Sequence, residues 1–119
     1  MKQFYTEFAN VLLEDESDTF RKDLTSLVKR FHSMITVICD TLDTHKQFKQ
    51  LWDKSKKLQD KTNSNDYVIN MIGLELNTLA GNAKNYFDKL DSDSKDRLKG
   101  YGVTEDNLSN ILSNVAKYS

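Results

Sequence analysis

The sequence predicts an all-α protein, a compact single-domain bundle of four to five helices over residues 1–119, with two long antiparallel-type core helices at about 18–42 and 66–90. Three observations carry this reading. Proline is absent and only four glycines occur, so little in the chain interrupts a helix. Two stretches place apolar residues at spacings of three and four, the signature of a helix with one buried face. The chain has 119 residues, 38% of them apolar and 29% charged, which suits one water-facing domain with a single core.

The first element runs from about Lys2 to Leu13, with Phe4, Phe8, Val11 and Leu12 on one face. Glu14 to Thr19 holds no apolar residue, and Ser17, Asp18 or Thr19 is expected to cap the next helix. That helix, Phe20 to Leu42, aligns Phe20, Leu24, Leu27, Val28, Phe31, Met34, Ile35, Ile38 and Leu42 in one seam about 33 Å long at roughly 1.5 Å per residue. Ile35 and Val37 broaden its apolar flank, and self-association through this helix is one expectation. A break is expected near Asp43, with Asp43 or Thr44 capping a third helix over His45 to Asp60. Its face is Phe48, Leu51, Trp52 and Leu58. A continuous helix through Lys61 is the competing reading.

Lys61 to Asp66, KTNSND, reads as a loop because Asn, Ser and Asp bond locally to the backbone, and Ser64 or Asn65 is the expected cap of the fourth helix. From Tyr67 to Leu90 the stripe is Val68, Met71, Ile72, Leu76, Leu79, Ala83, Tyr86, Phe87 and Leu90. Gly73, Ala80 and Gly81 within it point to close helix packing or a kink. Ser92 or Ser94 starts a single turn ending at Gly100. Gly100 and Gly102 permit a reversal, Thr104 caps the last helix, and Leu108, Ile111, Leu112 and Val115 form its stripe. Only the final few residues read as disordered.

Formal net charge is −1, which by itself recommends neither nucleic acid nor membrane. Acidic residues cluster at 14–18 and 88–96, whereas Lys46, Lys49, Lys54, Lys56, Lys57 and Lys61 make a basic segment. No apolar run approaches the roughly 20 residues that span a bilayer, and the first residues lack the apolar core of a signal peptide, so the expected location is cytoplasmic with no membrane partner. Cys39 is the single cysteine. It reads as a small buried apolar side chain, with Asp40 and Asp43 disfavouring a reactive thiolate.

Sequence motifs of catalysis and cofactor binding are missing. His32 and His45 lie thirteen residues apart, roughly 20 Å even along one helix, and share no local metal site. No Glu-x-x-His pair, Cys-x-x-Cys pair, phosphate loop or nucleophile elbow occurs. The segment DSDSKDRLKGYG lacks the glycine and glutamate of a calcium loop. Trp52-Asp53-Lys54 lacks the glycine of the small Trp-x-Gly helical hairpins, and His32 lacks the lysine and glycine that follow the histidine of phosphotransfer bundles. Catalytic, cofactor and metal residues are therefore expected to be none.

What remains is binding. The expected function is a non-enzymatic module that acts as adaptor, inhibitor or regulator through protein partners or self-association, one concrete form being a small phage or bacterial antagonist of a larger machine. The residues expected at an interaction site are Lys46, Lys49, Trp52, Lys54, Lys56, Lys57, Tyr101 and Tyr118, the tyrosines serving with Tyr5 as aromatic anchors. The alternative is nucleic-acid binding through segment 46–61, with lysines on phosphates and Trp52 or Phe48 stacking on a base. An enzyme built from dispersed acids and a histidine is the third class, and it requires a histidine that meets a carboxylate in a polar pocket.

Overall fold

The fold is described by a computed structural model that covers the backbone of residues 2–42, 46–64 and 67–118, with side chains from residue 19 onward. Among these residues five α-helices follow one another: α1 Lys2–Thr41, α2 Lys46–Thr62, α3 Ile69–Asp88, α4 Ser92–Lys99 and α5 Glu105–Val115, with a closing 3₁₀ turn Ala116–Tyr118. No strand occurs among the described residues.

The break expected at Glu14–Thr19 does not occur, and α1 runs unbroken for 40 residues. Glycine and proline are absent from this span, and Glu, Asp and Ser within a helix each cost only tenths of a kcal/mol relative to alanine. At about 1.5 Å per residue α1 is roughly 60 Å long. It therefore sets the long axis of a molecule measuring 64 × 24 × 19 Å. From Leu24 onward the predicted seam is the core-facing side, with Leu24, Leu27, Val28, Phe31, Ile35, Ile38 and Leu42 buried and Met34 partly so, whereas Phe20, expected in the seam, is exposed. Of the two residues expected to broaden its apolar flank, Ile35 is fully enclosed and Val37 is partly buried against the core.

α1 and α2 are separate helices, as the two-helix reading requires. The capping candidates Asp43 and Thr44, and His45, lie outside the described residues. Cross-helix bonds fix the direction of α2. Its Trp52 indole donates to Thr36 Oγ1 at 2.9 Å, and one turn later Ser55 meets His32 at 2.6 Å, so α2 runs antiparallel to α1. α2 reaches Thr62, two residues further than expected, because the Thr62 hydroxyl donates to Gln59 O at 2.8 Å and serves the last turn instead of competing with it.

α3 begins at Ile69, and its N-cap Val68 makes no side-chain capping bond, so neither Ser64 nor Asn65 has the expected role. Asn65 itself lies outside the described residues. Tyr67 anchors this end instead. Its carbonyl accepts from the Arg21 guanidinium at 3.1 Å, its hydroxyl donates to Arg21 O at 3.1 Å and meets Thr25 Oγ1 at 3.0 Å, and the guanidinium lies 4.8 Å from its ring centre. Phe48 packs edge-on to Tyr86 with ring centres 6.1 Å apart, and Lys61 pairs with Glu75. α3 thus runs antiparallel to α2. The two long helices are consequently parallel to each other, and the antiparallel relation expected between them belongs to each with α2.

α4 starts at Ser92 and closes at Gly100 as expected, over two turns instead of one, and Asp91 is its N-cap, accepting from Ser94 N at 2.8 Å. Arg97 donates to Thr41 O at 3.2 Å and ties α4 to the end of α1. Gly102 takes φ +83°, a left-handed conformation open to glycine, and turns the chain into α5. Thr104 caps α5 as expected, accepting from Asn107 N at 3.2 Å, and Leu108, Ile111 and Val115 are buried. The chain end is ordered to Tyr118, whose side chain is buried, edge-on to Phe20 at 5.8 Å and close against Gly73. Gly73 is thus a close-packing glycine.

Candidate functional site

α3 carries more apolar surface than its neighbours cover. Val68, Met71 and Leu74 are 54%, 61% and 56% exposed. Their spacing of three sets them along one edge of the helix, beside the buried stripe of Ile72, Leu76 and Leu79. Val68 and Met71 were expected in that stripe and are corrected here to surface positions. On a helix Met71 lies about 100° from Ile72, far enough round to leave the seam.

The edge faces a row of cations. Lys54, Lys57 and Lys61 share one side of α2 by their spacing of three and four. Between the two helices runs a groove. One section, about 380 Å³, is lined by Lys54, Lys57, Lys61, Leu74, Glu75, Thr78 and Leu79. The next, about 200 Å³, is lined by Lys61, Ser64, Tyr67, Val68, Met71, Ile72 and Glu75. Lys61 and Glu75 belong to both and bridge the groove at 3.3 Å, each about half exposed. Such an exposed pair contributes only about 0–1 kcal/mol. The lining therefore presents three lysines against one carboxylate, above an apolar edge.

The residues singled out by sequence do not converge on one place. Lys54 and Lys57 are on the groove. Lys56 is on the opposite flank of α2, its ammonium 5.3 Å from the centre of the Trp52 ring. Lys46 and Lys49 are exposed on the first turn of α2, and Lys49 is near enough to Cys39 to favour its thiolate slightly. Trp52 is half-buried, bonded to Thr36 and stacked obliquely on His32 at 5.2 Å, so its ring is committed within the fold. Tyr101 is 69% exposed in the turn before α5, whereas Tyr118 is a core residue and no surface anchor. The side chain of Tyr5 lies outside the described residues.

His32 meets a hydroxyl and an indole, not a carboxylate. Ser55 Oγ donates to Trp52 O at 3.0 Å, which leaves His32 Nδ1 to donate to Ser55 Oγ. Ser55 is fully buried and closed to any substrate. Burial lowers the His32 pKa, Lys56 adds to the effect, and Asp60 partly opposes it. Burial and then Asp40 raise the Cys39 pKa, keeping the thiol protonated, in line with the apolar role read from sequence. Among the described residues no cluster of three His, Cys, Asp or Glu could hold a metal ion, and no helix is long and apolar enough to cross a membrane.

The groove residues missed by the sequence reading are Leu74 and the exposed pair Val68 and Met71. A signal existed in Leu74, an apolar residue that fits no position of the stripe it interrupts. No protein-family model, curated protein or solved structure matches the chain.

Proposed function

We propose that this protein is a non-enzymatic binding module that seats an amphipathic helix of a protein partner in the groove between α2 and α3, and so acts as an adaptor, inhibitor or regulator. The observation that supports the reading is the juxtaposition of the Val68–Met71–Leu74 edge with the Lys54–Lys57–Lys61 row. Single exposed apolar residues are ordinary, but three in a line beside a concave, charged rim match the way a groove takes the i, i+3, i+7 face of a helix. The apolar edge supplies affinity through surface removed from water, at about 25 cal/mol per Å². The lysines select an occupant with acids flanking its apolar face and speed its approach.

Titration of isotope-labelled protein with a synthetic acidic amphipathic helical peptide, followed by amide shifts, tests this. The expected shifts cluster at Lys54, Lys57, Val68, Met71 and Leu74. Met71→Lys combined with Leu74→Lys, both at exposed sites, is expected to weaken binding at least tenfold with unchanged helicity. A basic peptide of the same apolar pattern binding equally well, or shifts centred elsewhere, would refute the reading. An oligonucleotide titrated in parallel tests the alternative, in which Lys46, Lys49 and Lys56 contribute as much as the groove lysines.

A further inference from the structure

We infer that the occupant of the groove is the N-terminal half of α1 from a second copy of this chain, so that two copies exchange helices. The inference rests on the reading of the groove as a helix-binding surface. It starts from the reach of α1. Tyr118 packs on Phe20, and Tyr67 bonds to Arg21 and Thr25, which sets the start of α3 and the closing turn at this level of α1. α3, with 20 residues, is about 30 Å long by its rise per residue, so the 64 Å long axis is not set by the bundle alone. Residues 2–18 continue as helix past the level at which α3 begins and the chain ends, by roughly 25 Å.

The sequence of that stretch complements the groove. Phe4, Phe8, Val11 and Leu12 recur at three and four, and five acidic residues, Glu7, Glu14, Asp15, Glu16 and Asp18, stand against one lysine. A single helix of this length is marginal in water unless its apolar stripe is covered. Its own groove is out of reach. α1 is continuous through Phe20, and Tyr67 and Tyr118 pin it there, so the stretch is carried away from the α2–α3 face of the same chain. A second copy related by a two-fold axis can deliver its stretch to this groove and receive the other in return, which closes the assembly at two. The acids then meet Lys54 and Lys57, and the stripe covers Met71 and Leu74.

The test is solution mass of the full chain by light scattering and sedimentation, from about 1 μM to about 500 μM, where mass action must show. A monomer–dimer equilibrium is expected, weakened by salt as expected for partly exposed charge pairs. Lys54→Glu with Lys57→Glu, and separately Glu14→Lys with Asp15→Lys and Glu16→Lys, are each expected to raise the dimer dissociation constant at least tenfold. Mixed together, the two variants are expected to dimerise again, because each groove then faces a segment of opposite charge. A monomer across the whole range, with the acidic peptide still shifting the groove residues, would overturn the second copy as occupant and leave the groove reading standing. A dimer indifferent to both sets of charge reversals would equally overturn it. Acidic peptide in excess is expected to compete for the groove and drive the dimer to monomer, and peptide that shifts the groove residues while leaving the dimer intact would also overturn the second copy as occupant.

Discussion

Replacing Gly73 by alanine sets two effects of similar size against each other, and the chain end decides the sign. In an isolated helix the change favours folding by about 1 kcal/mol, because alanine leaves the unfolded chain with less freedom to lose. Here a Cβ on residue 73 would stand 2.6 Å from Tyr118 Cβ and 2.6 Å from Tyr118 O. Non-bonded carbons rest at about 3.5–4.0 Å, so the last turn must withdraw by roughly 1 Å. That motion loosens the Tyr118 ring, which is buried and packed on Phe20. Overpacking of this kind costs about 1–3 kcal/mol, so Gly73→Ala is expected to destabilise the full chain by about 1 kcal/mol net. In a chain shortened to end at Lys117 the obstructing atoms are gone, and the same substitution is expected to stabilise by about 0.5–1 kcal/mol. Urea unfolding followed by far-ultraviolet circular dichroism measures both, with shared slopes as the check on two-state behaviour. The same sign in both backgrounds would refute the account of Gly73 as a contact for the chain end.

Thr104→Ala removes the side-chain acceptor for Asn107 N and is expected to cost about 1 kcal/mol in urea unfolding, with Thr104→Ser losing little; equal losses for both would refute the capping role. His32 has a lowered pKa in the fold, so as pH falls the unfolded chain takes its proton first. Its share of stability is complete above about pH 6.5 and declines below it until the folded-state pKa is passed; His32→Gln is expected to remove that part of the acid loss, and identical acid profiles would contradict it. Glu75→Gln releases Lys61 to an acidic occupant and is expected to tighten peptide binding by up to about fivefold, the scale of an exposed ion pair, measured by calorimetry; weaker binding would place Glu75 among the groups that hold the ligand.

The core of the bundle was legible because local pattern and burial agree there. The seam from Leu24 to Leu42 and the stripe Leu108–Ile111–Val115 fill as their spacing dictates, and Thr104 caps where a free threonine before two acids should. What sequence could not supply was the competition between local and tertiary partners. Ser64 and Asn65 are good caps in isolation, yet α3 starts after both because Tyr67 has better-placed bonds to Arg21 and Thr25 from another helix. Tyr118, expected as an aromatic surface anchor, is buried because Gly73, 45 positions earlier, offers a surface with no side chain in the way. The polar run Glu14–Thr19 reads as a break only if polarity alone stops helices, and it does not.

The groove was half legible for a related reason. Periodicity identifies which residues share a face but not how wide a face the neighbours will cover. On α3, α2 and α5 approach from either side, leaving Met71 and Leu74 beyond both. On α2 the same geometry divides one lysine-rich segment into two surfaces: Lys56 turns to Trp52 and α1, while Lys54, Lys57 and Lys61 turn to α3. A segment that looks like a single basic stripe is thereby reduced to a three-lysine rim with an apolar edge opposite. A nucleic-acid backbone rewards total positive charge along its path, and Lys46, Lys49 and Lys56 are spent elsewhere on the surface. A helix with acids beside an apolar face rewards the local pairing of charge with unpartnered apolar surface, and that pairing is what the packing of α2 against α3 produces.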